Sequence, residues 1–134
     1  MSFSQLMHAD FDDVIHQIGK GLPLQILSDA SAYLNVPKTI LRDILYLNVS
    51  SSSANSHKKR TTRFSSHESD RIARLARVTK AVETLMDDRE AAVEWFITSV
   101  PALNGRTPLE YLGTDAGAKL VEDMAFRAVA GVYS

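Results

Sequence analysis

Seven of the nine charged residues between His57 and Arg77 are basic, and four of them, Lys58, Lys59, Arg60 and Arg63, close a polar run of serines at residues 50–53 with Asn55 just beyond. Ammonium and guanidinium groups at this density attract phosphate, and short hydroxyl and amide side chains hydrogen-bond phosphate oxygens or base edges. The segment can be read as a flexible linker. It can equally be an exposed recognition helix with a serine at its N-cap. In that case Ser51, Ser52, Ser53, Asn55, Lys58, Lys59, Arg60 and Arg63 would form the DNA-binding set, with the basic residues meeting the phosphate backbone.

The net charge of −1 conceals this island. Residues 1–56 carry three Lys/Arg against five Asp/Glu, residues 57–77 seven against two, and residues 78–134 five against nine. Screening over roughly 10 Å makes such local charge matter more than the total.

Other residues with chemical potential do not assemble into a catalyst. His8, His16, His57 and His67 lack the spacing of a helical metal pair or the context of a nucleophile and its base. Gly19-Lys20-Gly21 is too short for a phosphate-binding loop and reads as a helix-ending turn. The carboxylates Asp12, Asp13, Asp87, Asp88 and Glu90 suit solvated faces and helix starts rather than an acid–base pair in an apolar cleft. Without cysteine, disulfides and thiolate chemistry are excluded. No catalytic residue, metal site or cofactor is nominated, and the expectation is a protein that is not an enzyme. Trp95 beside Phe96 is either a core anchor or an interface neighbour. With no signal peptide and no apolar run of roughly 18 residues, the chain is expected to be cytoplasmic and free of membrane contact.

The elements that must position these residues all read as helices. Leu6, Met7, Phe11, Val14, Ile15 and Ile18 recur at helical spacing and predict one amphipathic helix from Phe3 to Ile18, ended by Gly19 and Gly21. Pro23 opens a second helix with Leu24, Leu27, Ser31 and Leu34 on one stripe, and Asn35 stops it. A third begins at Pro37-Lys38 with Ile40, Leu41, Ile44, Leu45 and Leu47 inward. Ser65 or Ser66 caps a long helix carrying Ile72, Leu75, Ala76, Val78, Thr79, Val82 and Leu85, with Arg71, Arg74 and Arg77 on its exposed stripe. Asp87 or Asp88 starts a helix bearing Ala91, Ala92, Trp95 and Phe96. Thr107-Pro108 starts a short one through Leu112, and a last helix runs toward Val132 with Leu120, Val121, Met124, Ala125 and Val129 on one side. No sustained period-two run predicts a strand. The class is all-α, and 134 residues with 45% hydrophobic content suffice for one modest core or two small ones.

From Glu68 onward, the order Arg71-Ile72-Ala73-Arg74-Leu75-Ala76-Arg77-Val78, Ala92-Val93-Glu94-Trp95-Phe96, Asn104-Gly105-Arg106-Thr107-Pro108-Leu109 and Gly117 resembles the toxin-binding domain of Xre/MbcA/ParS-type antitoxins. The stretch from Gly21-Leu22-Pro23 to Arg63 is similar to the Xre-like helix-turn-helix that precedes that domain. Its serine-rich recognition segment ends here in Lys58-Lys59-Arg60, where the family commonly has arginines. The resemblance implies an N-terminal helix plus helix-turn-helix bundle over residues 1–63, joined by the long central helix to a small helical toxin-binding domain over residues 64–134. It further implies a RES-domain toxin that degrades NAD as partner, neutralised by occlusion of its active site. Toxin contacts are expected at Trp95, Arg106, Arg127, Val132, Tyr133 and Ser134, whose aromatic ring and carboxylate would reach the toxin's nucleotide pocket. The other implied partner is operator DNA, bound by a homodimer or a larger toxin–antitoxin complex. The competing expectation is a helix-turn-helix regulator whose C-terminal half serves only dimerisation.

Overall fold

Side chains that accept backbone N–H groups set most of the helix starts in the computed structural model, which describes residues 1–48 and 62–131. The expectations placed on Ser51, Ser52, Ser53, Asn55, Lys58, Lys59, Arg60, Val132, Tyr133 and Ser134 therefore lie outside the described residues. Among the described residues the secondary structure is helical, with one isolated antiparallel bridge between Pro23 and Arg63 and no strand. The chain divides into two compact units, Met1–Ala73 and Arg74–Ser134.

In the first unit, the single helix expected from Phe3 to Ile18 is two. Helix α1 spans Phe3–His8 and is closed at its start by a reciprocal pair, Gln5 N–H to Ser2 Oγ and Ser2 N–H to Gln5 Oε1. The backbone is extended at Ala9 and Asp10, and the Asp10 carboxylate accepts from Asp13 N–H to start α2, Phe11–Lys20. Apolar periodicity continues across this break, which is why it reads as one helix. The consequence for packing is large. Phe3, Leu6 and Met7 of α1 are buried, but no residue of α2 is.

Helix α1 packs on α3, Gln25–Leu34, with the rings of Phe3 and Tyr33 5.6 Å apart, and α3 packs on α4, Lys38–Ile44. Between α3 and α4 the chain turns at Asn35, whose left-handed backbone suits asparagine. Ser31 locks this corner, its hydroxyl donating to the Val36 carbonyl at 2.6 Å. The start of α3 lies two residues beyond Pro23, and its buried face is Ile26, Leu27, Ala30 and Leu34 rather than a stripe through Leu24 and Ser31. In α4, Leu41 and the following Leu45 define the inward line. Ile40, one step round the helix, is exposed against expectation, and Ile44 is only half-buried.

Helix α5, Ser66–Met86, passes through the division between the units. Ser65 caps it as expected, through reciprocal bonds with Glu68. The stripe Ile72, Leu75, Ala76, Val78, Thr79 and Val82 is buried, joined by Ser69. The second unit continues with α6, Arg89–Phe96, capped by Asp88. Two 3-10 turns follow, Pro101–Leu103 and Pro108–Tyr111, and then α7, Asp115–Ala130, capped by Thr114. Ala118, Val121, Met124 and Ala125 of α7 are buried. Leu120 and Val129, expected on the same inward side, are exposed.

Candidate functional site

Two sets of residues with binding chemistry emerge, one in each unit. In the first unit the chain enters and leaves residues 49–61 at two fixed points. On the entry side, Glu68 accepts the N–H of Asn48 at 2.6 Å on Oε2 and that of Ser65 at 3.0 Å on Oε1. Arg71 reaches back to donate from Nε to the Leu45 carbonyl at 2.7 Å and from Nη2 to the Tyr46 carbonyl at 3.2 Å. Tyr46 itself is exposed with a φ of 54°, a conformation that costs a bulky residue energy and needs such support.

The exit side is pinned by backbone pairing. Leu24 N–H donates to the Thr62 carbonyl at 3.1 Å and Phe64 N–H to the Leu22 carbonyl at 2.8 Å, while Arg63 Nη1 donates to the Gly21 carbonyl at 2.8 Å. Leu22 N–H in turn donates to the buried Ser69 Oγ at 2.8 Å. Gly21 is required here twice over: its φ is +90°, and a Cβ would collide with the Phe64 carbonyl.

Electrostatics follow from these bonds. Partial burial disfavours charge on Glu68, but the backbone N–H groups of Ser65 and Asn48, the Ser65 side chain and the nearby Arg71 outweigh it, holding the carboxyl below its usual range. The three arginines of α5 are also less available than their spacing suggests. Arg71 and Arg74 are half-buried, with Arg74 Nη1 3.4 Å from the Gly113 carbonyl, and Arg77 pairs with Glu122 at 2.8 Å. Part of the island's basic charge is thus engaged within the protein's own units. Arg63 remains exposed, and one bond does not exhaust the five donors of a guanidinium.

In the second unit the Asn104-Gly105-Arg106 loop is closed by two bonds, Val100 N–H to the Arg106 carbonyl at 3.0 Å and Gly105 N–H to the Val100 carbonyl at 3.2 Å. Arg106 is presented to solvent on this loop. The next turn is fixed by Thr107, whose N–H and hydroxyl both donate to Glu110 Oε2, at 3.0 and 3.1 Å. These bonds, led by the backbone one, lower the pKa of Glu110. Pro108, Leu109 and Leu112 are buried beneath. Gly117 is the residue that lets α7 start so close, since a Cβ there would strike the Tyr111 carbonyl.

Trp95 is half-buried on α6 with its ring 5.7 Å from that of Phe96, edge to face. Arg127 is exposed on α7. Trp95, Arg106 and Arg127 therefore stand on three separate elements, and no hydrogen bond joins them among the described residues. Phe126, which periodicity did not single out, is 57% exposed and lies three residues from the exposed Val129 on one side of α7. The helix then ends at a left-handed Gly131, immediately before Val132. His8, His16 and His67 are all exposed, and no group of three metal-ligating side chains occurs among the described residues.

Residues 13–77 match the family described as the Antitoxin Xre-like helix-turn-helix domain, and residues 81–124 match the Antitoxin Xre/MbcA/ParS C-terminal toxin-binding domain. The chain is also similar to Antitoxin Xre of Yersinia enterocolitica, with 31% identity over 123 residues that cover 90% of this chain and 81% of that protein. The chain belongs to the Xre antitoxin family. In this Xre-family antitoxin the helix-turn-helix match runs from α2 into α5 and so includes both fixed points flanking residues 49–61. The toxin-binding match spans the Arg106 loop and most of α7, stopping just short of Phe126. No helix among the described residues is long and apolar enough to cross a membrane.

Proposed function

We propose that the chain neutralises a RES-domain toxin that degrades NAD, by covering the toxin's active site with its second unit, and that it represses its own operon by binding operator DNA through the first. The observation that carries this reading is the occurrence, on one chain, of a helix-turn-helix match and a toxin-binding match in the two halves. A toxin pocket that holds a dinucleotide must be electropositive, and residues 78–134 carry nine acidic against five basic side chains. Apolar anchors are also needed for tight binding, and Phe126 and Val129 supply them beside Arg127. Trp95, Arg106 and the terminal Val132, Tyr133 and Ser134 complete the proposed toxin-facing set.

The test is co-expression with the neighbouring toxin while cellular NAD is measured. The intact chain is expected to keep NAD at the uninduced level. Phe126→Asp with Val129→Asp, both at exposed positions, is expected to weaken toxin binding at least tenfold, about 1.4 kcal/mol, without loss of helicity. If NAD collapses despite the intact chain, the neutralisation reading fails.

For the operator, Lys58, Lys59 and Arg60 are the proposed phosphate contacts, with Ser51, Ser52, Ser53 and Asn55 toward the bases. Replacing the three cations with alanine should lower affinity and flatten its salt dependence, by about 0.9 in the logarithmic slope for every phosphate no longer neutralised. Arg63 belongs to the same proposed set, but its bond to Gly21 makes it a poor first choice, because its removal would also loosen the fold. An unchanged slope in the triple variant would assign the basic segment to another role.

A further inference from the structure

Among the described residues a positive φ occurs at Gly21, Asn35, Asp87, Asn104, Gly105 and Gly131, all of types that tolerate it, and at Tyr46, which is not. The end of α4 puts Tyr46 in that conformation. Leu47 N–H donates to the Arg42 carbonyl at 3.0 Å and Tyr46 N–H to the Asp43 carbonyl at 3.3 Å, the paired bonds that close a helix through one left-handed residue. Leu45 and Leu47 on either side are buried, while Tyr46 is 65% exposed. Glycine would make the same turn with less strain, and a ring so exposed adds little packing. Local stability does not account for tyrosine here, and a residue that breaks a local preference in this way points to a contact outside the chain.

The neighbourhood supplies the chemistry of that contact. Glu68 accepts from both Asn48 N–H and Ser65 N–H, so one carboxylate draws together the two ends of residues 49–61. Tyr46 stands two residues before Asn48 and Arg63 two residues before Ser65, and both are exposed. We propose that Tyr46 is a phosphate contact for duplex DNA, its phenol donating to a backbone oxygen at one end of the basic segment while Arg63 serves the other end. Arg71, bonded to the Leu45 and Tyr46 carbonyls, holds the turn in place beforehand and so lowers the ordering cost of that contact.

The inference rests on the operator-binding reading and adds to it a neutral donor, whose signature differs from that of the lysines. Loss of a cation flattens the salt dependence of binding. Loss of a neutral donor lowers affinity at every salt concentration and leaves the slope unchanged. A phosphate contact also carries no sequence information, so its loss weakens all duplexes alike.

The experiment measures binding of the full chain, across salt, to the duplex upstream of its own reading frame and to a scrambled duplex of equal length, with urea denaturation in parallel. Tyr46→Phe should weaken both complexes about three- to tenfold, with the native slope and native stability. Tyr46→Gly should weaken both at least as much and yet raise the urea midpoint, because it relieves the φ of 54°. A Tyr46→Phe chain that binds as tightly as the native one, or that loses affinity only for the upstream duplex, overturns the phosphate contact. A Tyr46→Gly chain less stable than the native one overturns it as well, since the ring would then be kept for packing. If DNA binding is intact in both variants but toxin neutralisation is lost, the ring belongs to the toxin instead. Failure of the operator reading itself looks different: the native chain would then bind neither duplex in a manner that depends on Lys58, Lys59 and Arg60.

Discussion

The two units hold their proposed binding residues by different physics. In the first, charged side chains reach across the sequence to backbone groups: Glu68 to Asn48, Arg71 to Leu45 and Tyr46, and Arg63 to Gly21. In the second, the Arg106 loop and its neighbours rest on local caps at Asp88, Thr107 and Thr114 over buried Phe96, Leu109, Leu112 and Val121, and the long-range contacts of Arg74 with the Gly113 carbonyl and of Arg77 with Glu122 lie away from that loop in the sequence. For a segment proposed to meet a polyanion, flanks held at both ends lower the entropy cost of binding. A surface that meets another protein needs exposed apolar anchors on a rigid support, and α7 exposes Phe126 and Val129 for the proposed toxin contact. The first unit should accordingly be the more sensitive to pH and charge substitutions, and the second to changes of shape.

The largest effects should come from the glycine in each unit that admits a close backbone approach. Gly21→Ala meets the Phe64 carbonyl at a positive φ, and Gly117→Ala meets the Tyr111 carbonyl at the start of α7. Each is expected to destabilise by about 2–4 kcal/mol in chemical denaturation. The functional consequences should separate, with operator affinity falling first in the Gly21 variant and toxin neutralisation first in the Gly117 variant. Equal damage to both readouts by either variant would mean that the units do not work independently.

These two glycines also mark where sequence reading succeeds and where it stops. Helix starts capped within three residues, as at Ser65 and Asp88, are legible because donor and acceptor sit in the same short string, and the stop at Asn35 is legible from its residue type. The buried stripe of α5 is legible for the same reason, its period being local. The break between α1 and α2 is not, since Asp10 interrupts no apolar spacing and becomes a cap only once the chain turns there. Leu22 with Ser69 and Gly21 with Arg63 lie more than forty residues apart, and no spacing rule anticipates such pairs. Arg71 and Arg74 look like solvated charges in the sequence, because the carbonyls they reach, at Leu45, Tyr46 and Gly113, come near them only through folding. Periodicity also carried Val129 inward, because a helical repeat does not report where the underlying core ends.

An intermediate effect is expected at Glu68. Glu68→Gln keeps the size but sets an amide against two backbone donors, and should cost about 1–2 kcal/mol at neutral pH. The native carboxyl has its pKa lowered on folding, so its contribution is complete above the ordinary carboxylate pKa and disappears as pH falls through the lowered one. Urea denaturation across this acid range should show a steeper loss of stability for the native chain than for Glu68→Gln. Parallel profiles would mean that the Asn48 and Ser65 bonds do not depend on charge.

The smallest effect belongs to Arg77, and it tests how the basic island is divided. Arg77 pairs with Glu122 inside the second unit, with both side chains partly in solvent. Pairs of this kind contribute about 0.2–1 kcal/mol because water competes for both charges and two long side chains must be ordered. A double-mutant cycle with Arg77→Ala and Glu122→Ala should return a coupling in that range, and it should shrink in high salt as screening grows. If the charge of Arg77 serves only this pair, Arg77→Ala leaves operator affinity and its salt slope untouched. A loss of affinity comparable with that from removing Lys58 would instead add Arg77 to the proposed DNA-facing set, and the proposed contrast between a DNA-binding and a toxin-binding unit would have to be redrawn.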